Sequence, residues 1–181
     1  MSNNHEPVGR PDRSEAAPYF FGYIDRVHGD RPLATLKEQM PATLAFLSHI
    51  SEDRSLHRYA EGKWNVKQVL NHISDCERLF TFRAFWFARG FTDALPAFDQ
   101  DVAASHAPGS ELSWSDLVED FRTVRMSTLS LFENLLAEAW MRKGEASGFP
   151  FTVRAVAFIN AGHLAHHTAV ISERYLQAGQ T

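Results

Sequence analysis

The chain has 181 residues, of which 44% are apolar and 22% charged, with one cysteine and a formal net charge of −4. This length suits a single domain with its own core, and one cysteine excludes a fold held together by intramolecular disulfides. The mild negative charge disfavours a nucleic-acid-binding protein, because nucleic-acid affinity depends on clustered Lys and Arg.

Residues 1–17 are predicted to form a disordered tail. They are rich in polar residues and proline and hold almost nothing that could be buried. The aromatic segment at residues 18–24 is too short and too interrupted by Gly22 for a regular helix, so we expect an arm lying across the body. Residues 18–181 are taken as one domain.

Helices one and two follow. Helix one is predicted over residues 30–50, where apolar residues recur at helical spacings. Pro41 lies inside it and removes one backbone hydrogen bond, so we expect a kink or a break there. Helix two begins at Asn65, which forms a capping-box pattern with Gln68, and ends at Gly90. Its wide apolar face places it deep in a helical bundle.

A long connection separates these helices from the last two. Residues 91–112 show no sustained apolar period. Helix three is predicted from Ser113 to about Trp140, and helix four from Thr152 to about Gln177. Four helices without a credible alternating strand predict an all-α four-helix bundle, with a long crossover between helices two and three.

The apolar runs also bear on location. The longest, such as residues 85–88, are far shorter than the roughly 20 residues that cross a bilayer. The N-terminus lacks the basic and apolar segments of a secretory signal. We therefore expect a cytoplasmic protein with neither a membrane nor a nucleic acid as its partner.

Helix four carries the most informative pattern. Residues from Val153 to Arg174 follow one another at alternating spacings of three and four, which directs that face to the bundle interior. His163 and His167 belong to this face. Two histidines one turn apart lie close enough for both imidazoles to bind one metal ion. His166 falls beside the face.

A third histidine, His72, lies on a comparable inward face of helix two. An inward histidine is often a hydrogen-bonded core residue, and that interpretation stays open for each of the three. Three buried imidazoles would each need a polar partner, however, because an unpaired buried polar group costs on the order of 1–3 kcal/mol. A shared divalent cation would satisfy His72, His163 and His167 at once.

These histidines lie within a set of motifs that spans residues 18–176. A tryptophan in the turn before helix two precedes a leucine and a histidine in that helix at fixed spacing, and a histidine-rich motif follows some ninety residues later. The motifs resemble those of the DinB/YfiT-like superfamily. In chain order they are DRV (25–27), DRPL (30–33), KWNVKQVLNH (63–72), DCER (75–78), FDQD (98–101), GHLAHH (162–167) and SERYL (172–176).

The resemblance implies an up-down-down-up four-helix bundle in which His72, His163 and His167 hold a divalent metal. Members of the superfamily include thiol-dependent transferases and isomerases, and many uncharacterised proteins described as metal-dependent hydrolases. The family name refers to DNA damage and does not imply DNA binding. Asn65 stands where Ser or Thr is expected, and it preserves the helix cap.

Such a site would be open rather than closed. Three protein ligands leave coordination positions for water or substrate, as in catalytic sites. Imidazole suits Zn, Ni, Fe and Co about equally, so the metal identity stays open. The ion could activate water for hydrolysis, or hold the thiolate of a low-molecular-weight thiol for transfer. We expect a metal-dependent transferase or hydrolase acting on a small molecule; the alternative is a noncatalytic metal-stabilised binding or dimerisation module.

A general base could come from several acids. Asp99 and Asp101 in the long connection are the catalytic candidates, because such a loop can close over the open end of a bundle. Asp75 and Glu77 on helix two, or solvent, are the other sources. Cys76, one turn after His72, is either a packing residue or a soft fourth ligand.

The remaining candidates concern the surroundings of the site. Arg83 and Arg174 fall on inward faces, where an unpaired cation is costly. They either extend to the bundle ends or line a pocket for an anionic group such as a substrate carboxylate. Asn160, one turn before His163, could orient a ligand imidazole. We expect a homodimer formed through an exposed helix face, and surface positions for His5, His28, His49, His57 and His106.

Overall fold

The computed structural model describes residues 9–108 and 111–176, and this part of the chain is mostly helical. Four long helices form the predicted bundle. Within the described residues, no helix is long and apolar enough to cross a membrane. In chain order the helices are α1 (Phe21–Ile24), α2 (Pro32–Ser48), α3 (Glu52–Ser55), α4 (Val66–Ala88), α5 (Gln100–His106), α6 (Trp114–Glu133) and α7 (Val153–Val170).

Two clusters of buried apolar residues lie among the four long helices. Helix α4 packs along both α6 and α7, and α2 packs against the same two helices, so α2 and α4 lie across the bundle from each other. The predicted crossover connects α4 to α6 and contains α5. The up-down-down-up direction of the helices stays a prediction.

Side-chain caps begin three of the long helices where they were predicted. The Asn65 side chain accepts a hydrogen bond from the Gln68 backbone N (2.8 Å), and the Gln68 side chain accepts one from the Asn65 backbone N (3.0 Å). Ser113 and Thr152 cap α6 and α7 in the same local way. Each contact spans three residues, which is why the sequence shows it.

The region between α6 and α7 differs from the prediction. Helix α6 ends at Glu133, and a 3-10 turn at Ala137–Met141 brings Trp140 into the core with 1% exposure. An antiparallel hairpin that the sequence did not indicate then pairs β1 (Lys143–Ala146) with β2 (Phe149–Thr152). Both turn residues, Ser147 and Gly148, have positive φ (56° and 78°), as a type I′ turn requires.

The other predicted helices also end differently. Helix α2 continues through Pro41 without a break, and Pro41 is exposed. Helix α7 ends at Val170 and passes into a π-helical turn, Ile171–Leu176. The predicted end at Gln177 lies outside the described residues.

The disordered tail predicted over residues 1–17 is wrong for residues 9–17, and residues 1–8 lie outside the described part. Glu15 is 6% exposed, and its carboxylate accepts hydrogen bonds from Thr152 Oγ1 (2.8 Å) and Arg154 Nε (3.1 Å). Arg10 donates to the backbone carbonyl of Ile24 (2.7 Å). These partners lie far away in the sequence, so the local composition does not reveal them.

The aromatic segment crosses the body as expected, in the form of a 3-10 turn at Pro18–Phe20 followed by α1. Phe21 and Ile24 are buried, and α1 packs against α7. The two backbones touch at Gly162, where an added Cβ would lie 2.0 Å from the carbonyl oxygen of Tyr23. Glycine is therefore required on α7 at this crossing.

A buried ion pair joins the long helices. The Arg125 guanidinium on α6 donates to the Glu77 carboxylate on α4 from Nε (2.7 Å) and Nη2 (2.8 Å), and both side chains are almost fully buried. Arg125 Nη1 also donates to the Leu36 carbonyl (3.2 Å) and to Gln39 Oε1 (3.3 Å) on α2. Gln39 Nε2 in turn donates to the Ala161 carbonyl on α7 (2.9 Å).

We predict that Glu77→Gln lowers the free energy of unfolding by about 3–5 kcal/mol, because it leaves the Arg125 cation buried without its counter-charge. Urea unfolding followed by circular dichroism measures the change. Glu119→Gln is the control, since it breaks the exposed Arg122–Glu119 pair and should leave the stability nearly unchanged. A loss below about 1 kcal/mol for Glu77→Gln would contradict the prediction.

We also predict that Gly162→Ala is destabilising by about 1–3 kcal/mol, because the new methyl group would displace the Tyr23 backbone. Alanine favours helix, so the steric effect must exceed that gain. Gly22→Ala is the matched control, because a Cβ there meets nothing within 4 Å. Thermal melts of both variants and limited proteolysis of the N-terminal segment provide the measurement; equal behaviour of the two variants would count against the close approach.

Candidate metal centre

Three histidines meet between α4 and α7. His163 Nε2 lies 3.2 Å from His72 Nε2 and 3.1 Å from His167 Nε2. One ring nitrogen from each of the three residues lies within 4.8 Å of the others. The structure thus brings together the three histidines that the sequence indicated, two from one helix and one from its neighbour.

Aromatic side chains enclose the imidazoles. The Trp64 ring lies against His72 with a centroid distance of 5.0 Å, and Tyr23 and Phe80 lie edge-on to His163 at 5.2 and 5.6 Å. His72 and His163 are only 7% and 4% exposed. Packing on both sides restricts the rings to orientations in which their nitrogens converge.

Burial keeps the three imidazoles neutral. Desolvation lowers the pKa of His72 to about 4, although the negative charge of Asp101 opposes the shift. Desolvation, together with repulsion from the neighbouring imidazoles, lowers the pKa of His167 to about 3 and that of His163 well below its ordinary value. At neutral pH each ring therefore has a nitrogen lone pair available for coordination.

The donor set fits a divalent first-row metal ion. Nitrogens bound to a tetrahedral ion at about 2.05 Å lie about 3.4 Å apart. The two Nε2 separations of 3.2 and 3.1 Å are close to that value. Without a cation, these separations are hydrogen-bonding distances whose donor and acceptor roles depend on the ring tautomers. A bound cation would replace these hydrogen bonds by accepting one lone pair from each ring. Imidazole donors alone do not select among Zn, Ni, Fe and Co.

A cavity of about 140 Å³ adjoins the cluster. His72 and His163 form part of its wall, and Tyr23 and Phe80 add aromatic surface. Arg83 lines it from farther along α4. The site therefore combines a group of metal-type donors with an adjacent space that a small molecule can enter.

Cys76 and Asn160 are both buried, and each lies beside a polar side chain. Cys76 Sγ lies 3.6 Å from His72 Nδ1, and burial raises the pKa of the thiol to about 12. Cys76 is not in the group of donor atoms that lie within 4.8 Å of one another among the described residues. Asn160 Nδ2 donates to Thr81 Oγ1 (3.4 Å). The expected contact of Asn160 with an imidazole is not among the hydrogen bonds of the described chain.

The structure separates the two arginines. Arg83 is 3% exposed and lines the cavity. Arg174 is exposed and lies over the Tyr59 ring, so the prediction of an inward position is wrong for it. Arg174 lies in the π-helical turn, which does not follow the 3.6-residue register from which its position was predicted. His166 lies beside the cluster, as expected, with its ring 4.8 Å from that of His167.

The candidate acids have different surroundings. Asp99 caps α5, accepting hydrogen bonds from the backbone N of Asp101 (2.9 Å) and of Val102 (3.1 Å). Asp101 is exposed, and its charge reaches His72. Asp75 is half-buried and bonded to Asn71, and burial raises its pKa. Glu77 was a possible base, but its pairing with Arg125 on the α6 side of α4 excludes it.

Sequence reasoning missed several residues of the cavity wall. Tyr19, Phe20 and Tyr23 come from the arm, and Ser147 comes from the hairpin turn. The aromatic composition predicted the arm but not the part of the body that it covers. Nothing in the sequence pattern indicated that Ser147 lies at the cavity, because the hairpin that positions it was not predicted. The described surface histidines His28, His49, His57 and His106 are exposed as expected.

Comparisons with known proteins agree with the observed fold. The model of the DinB superfamily matches residues 35–171, which include all three histidines of the cluster. Among solved structures, the chain resembles YfiT from Bacillus subtilis, described as "a probable metal-dependent hydrolase with an unusual four-helix bundle topology", with a TM-score of 0.72, 19% identity and 99% coverage of each chain. No curated protein gives a significant match.

We predict that the metal-free protein loses stability as the pH falls from about 6.5 toward 4. The unfolded chain binds protons at the ordinary imidazole pKa of 6.5, whereas folded His72 does so only near 4 and His167 near 3. The unfolded state thus binds more protons in this range, and the stability present above pH 6.5 is lost as the pH drops.

Urea unfolding at pH 7 and pH 5 tests this prediction. The free energy of unfolding should differ less between pH 7 and pH 5 in His167→Gln than in the wild type. The reduction should equal the contribution of about one bound proton. Thr128→Val, which alters a buried group that does not titrate, should shift the stability equally at both values. An unchanged pH dependence in His167→Gln would show that this imidazole is not held neutral by the fold.

Proposed function

The chain belongs to the DinB superfamily, and on this premise we propose that it is a metal-dependent hydrolase acting on a small molecule. The observation that carries the proposal is the convergence of three imidazoles, two buried and that of His167 half-buried, beside a cavity. The description of YfiT as a probable metal-dependent hydrolase supports the same activity class. His72, His163 and His167 are the proposed ligands.

The open coordination shell accounts for the chemistry. His72, His163 and His167 would hold the ion and leave coordination positions open, and the chemistry it would supply is a bound water whose pKa is lowered toward about 7. The chain provides neutral ligands, because burial keeps the three rings unprotonated at neutral pH. Trp64 and Phe80 keep the rings in place and limit the access of bulk water.

Two further groups take part in the proposed reaction. The Tyr23 hydroxyl lies 3.0 Å from the Tyr19 hydroxyl, and burial, together with this hydrogen bond, raises the pKa of Tyr23. Tyr23 thus stays protonated and donates a hydrogen bond to a substrate oxygen in the cavity. Asp101 is the proposed general base, since its charge reaches the cluster whereas Asp99 is engaged as a helix cap.

Hydrolysis accounts for the cavity better than thiol transfer does. A volume of about 140 Å³ resembles that of a cavity that holds one benzene ring. A water nucleophile would bind at the metal and needs no further binding region. A low-molecular-weight thiol would need a second binding region beside the one for the substrate. The protein's own thiol is no substitute, because burial raises the pKa of Cys76 to about 12.

We predict that the purified protein binds one divalent ion per chain and that His72→Ala, His163→Ala and His167→Ala each weaken this binding by more than about 100-fold. Loss of a direct ligand should exceed the 10–100-fold effect that is typical of outer-shell residues. His166→Ala is the matched control, because His166 neighbours the cluster without belonging to it. Metal analysis after equilibrium dialysis gives the affinities; absence of stoichiometric binding in the wild type would overturn the proposal.

An activity screen of the metal-loaded protein completes the test. Small esters, amides and lactones are assayed with and without added low-molecular-weight thiols. We expect product formation that does not depend on thiol and is lost in His163→Ala while circular dichroism shows the same fold. Strictly thiol-dependent turnover would assign the protein to the transferases. Metal binding that stabilises the fold without any turnover would favour the noncatalytic module.

A further inference from the structure

Arg83 is a buried cation without a counter-charge. It is 3% exposed, and among the residues that the structure describes no carboxylate forms an ion pair with it. Its Nη2 donates to the Pro96 carbonyl (3.2 Å) and to Ser147 Oγ (3.1 Å), while Nε has no hydrogen-bond partner. Burial of an uncompensated guanidinium is costly, so this arrangement calls for a further partner.

The cavity supplies the place for such a partner. Arg83 and Ser147 line it together with His72 and His163. On α4, Arg83 lies eleven residues after His72, which separates their Cα atoms by roughly 16 Å along the helix axis. A molecule in the cavity can thus have one group at the guanidinium and another toward the imidazole cluster.

We propose that Arg83 binds the anionic group of the substrate, and that this substrate is a small monocarboxylate with an apolar body. The inference deepens the proposed function and rests on it for the position of the reacting group. The binding of the carboxylate itself depends on Arg83 and Ser147 and does not require the metal.

The charge and the walls of the cavity define this substrate class. Arg83 is the cationic side chain on the described wall, so one carboxylate supplies the counter-charge that its guanidinium lacks. The Ser147 oxygen accepts from Arg83, which leaves the Ser147 hydroxyl proton free to donate to a carboxylate oxygen. Phe20 and Phe80 contribute apolar surface to the same wall, and a volume of about 140 Å³ accommodates a body of about one ring.

The backbone of the hairpin turn supports a role for Ser147. This residue has φ 56°, a conformation that non-glycine residues seldom adopt. Glycine would fit the same backbone without strain but would have no hydroxyl beside Arg83. Ser147 is therefore a positioning residue that orients the guanidinium toward the cavity.

Benzoate is the test probe, with benzyl alcohol as its neutral counterpart. We expect Arg83→Met to weaken benzoate binding by about tenfold or more while benzyl alcohol binding stays the same, because the variant removes a charge-assisted contact. Arg83→Lys keeps the charge and should retain part of the affinity. Arg89→Gln is the control, since Arg89 is exposed and lies over Phe85 just after the same helix.

Titrations followed by nuclear magnetic resonance are run on both metal-free and metal-loaded protein. In the wild type, benzoate should shift the Nε–H resonance of Arg83, which keeps the test decisive even if a variant fails to fold. An unmoved resonance, or equal benzoate affinity in wild type and Arg83→Met, would overturn the inference while leaving the metal-site proposal intact. Arg83-dependent benzoate binding in a protein that binds no metal would support the anion site and refute the proposed function.

Discussion

The buried ion pair between Arg125 and Glu77 constrains the packing of the whole bundle. The arginine lies on α6 and the glutamate on α4. Their side chains are 0% and 2% exposed, so bulk water hardly reaches either charge. The remaining Arg125 donor is satisfied from α2, where Gln39 also bonds to the α7 backbone at Ala161. Since a buried charge that loses its partner costs several kcal/mol, all four long helices are held in one mutual arrangement.

This arrangement also places the histidines. His72 and Glu77 are five residues apart on α4, so their side chains point about 140° apart around the helix. When Glu77 faces α6, His72 must face α7, where His163 and His167 meet it. Helix α4 thus carries a charged group, Glu77, at its contact with α6 and a neutral one, His72, at its contact with α7 beside the cavity.

Much of the fold could be predicted because its signals are local. The Asn65 cap depends on a residue three positions away, and the pairing of His163 with His167 depends on one helical turn. The failures involve distant contacts or altered geometry. Glu15 bonds to Thr152, which is 137 residues away in the sequence. The inward position predicted for Arg174 is wrong because the helix changes to a π-helical turn there.

By itself the sequence determined the four long helices, the capped starts of three of them and the two helix faces that carry the histidines. Apolar periodicity and capping residues act over three or four positions, so no tertiary information is needed to recognise them. Only the tertiary structure decided that His72 meets His163, that Arg83 lines the cavity and that Tyr23 covers the imidazoles. These contacts join helices, an arm and a hairpin whose neighbours are set by packing and by the pairing of buried charges, and no short segment of the chain contains that information.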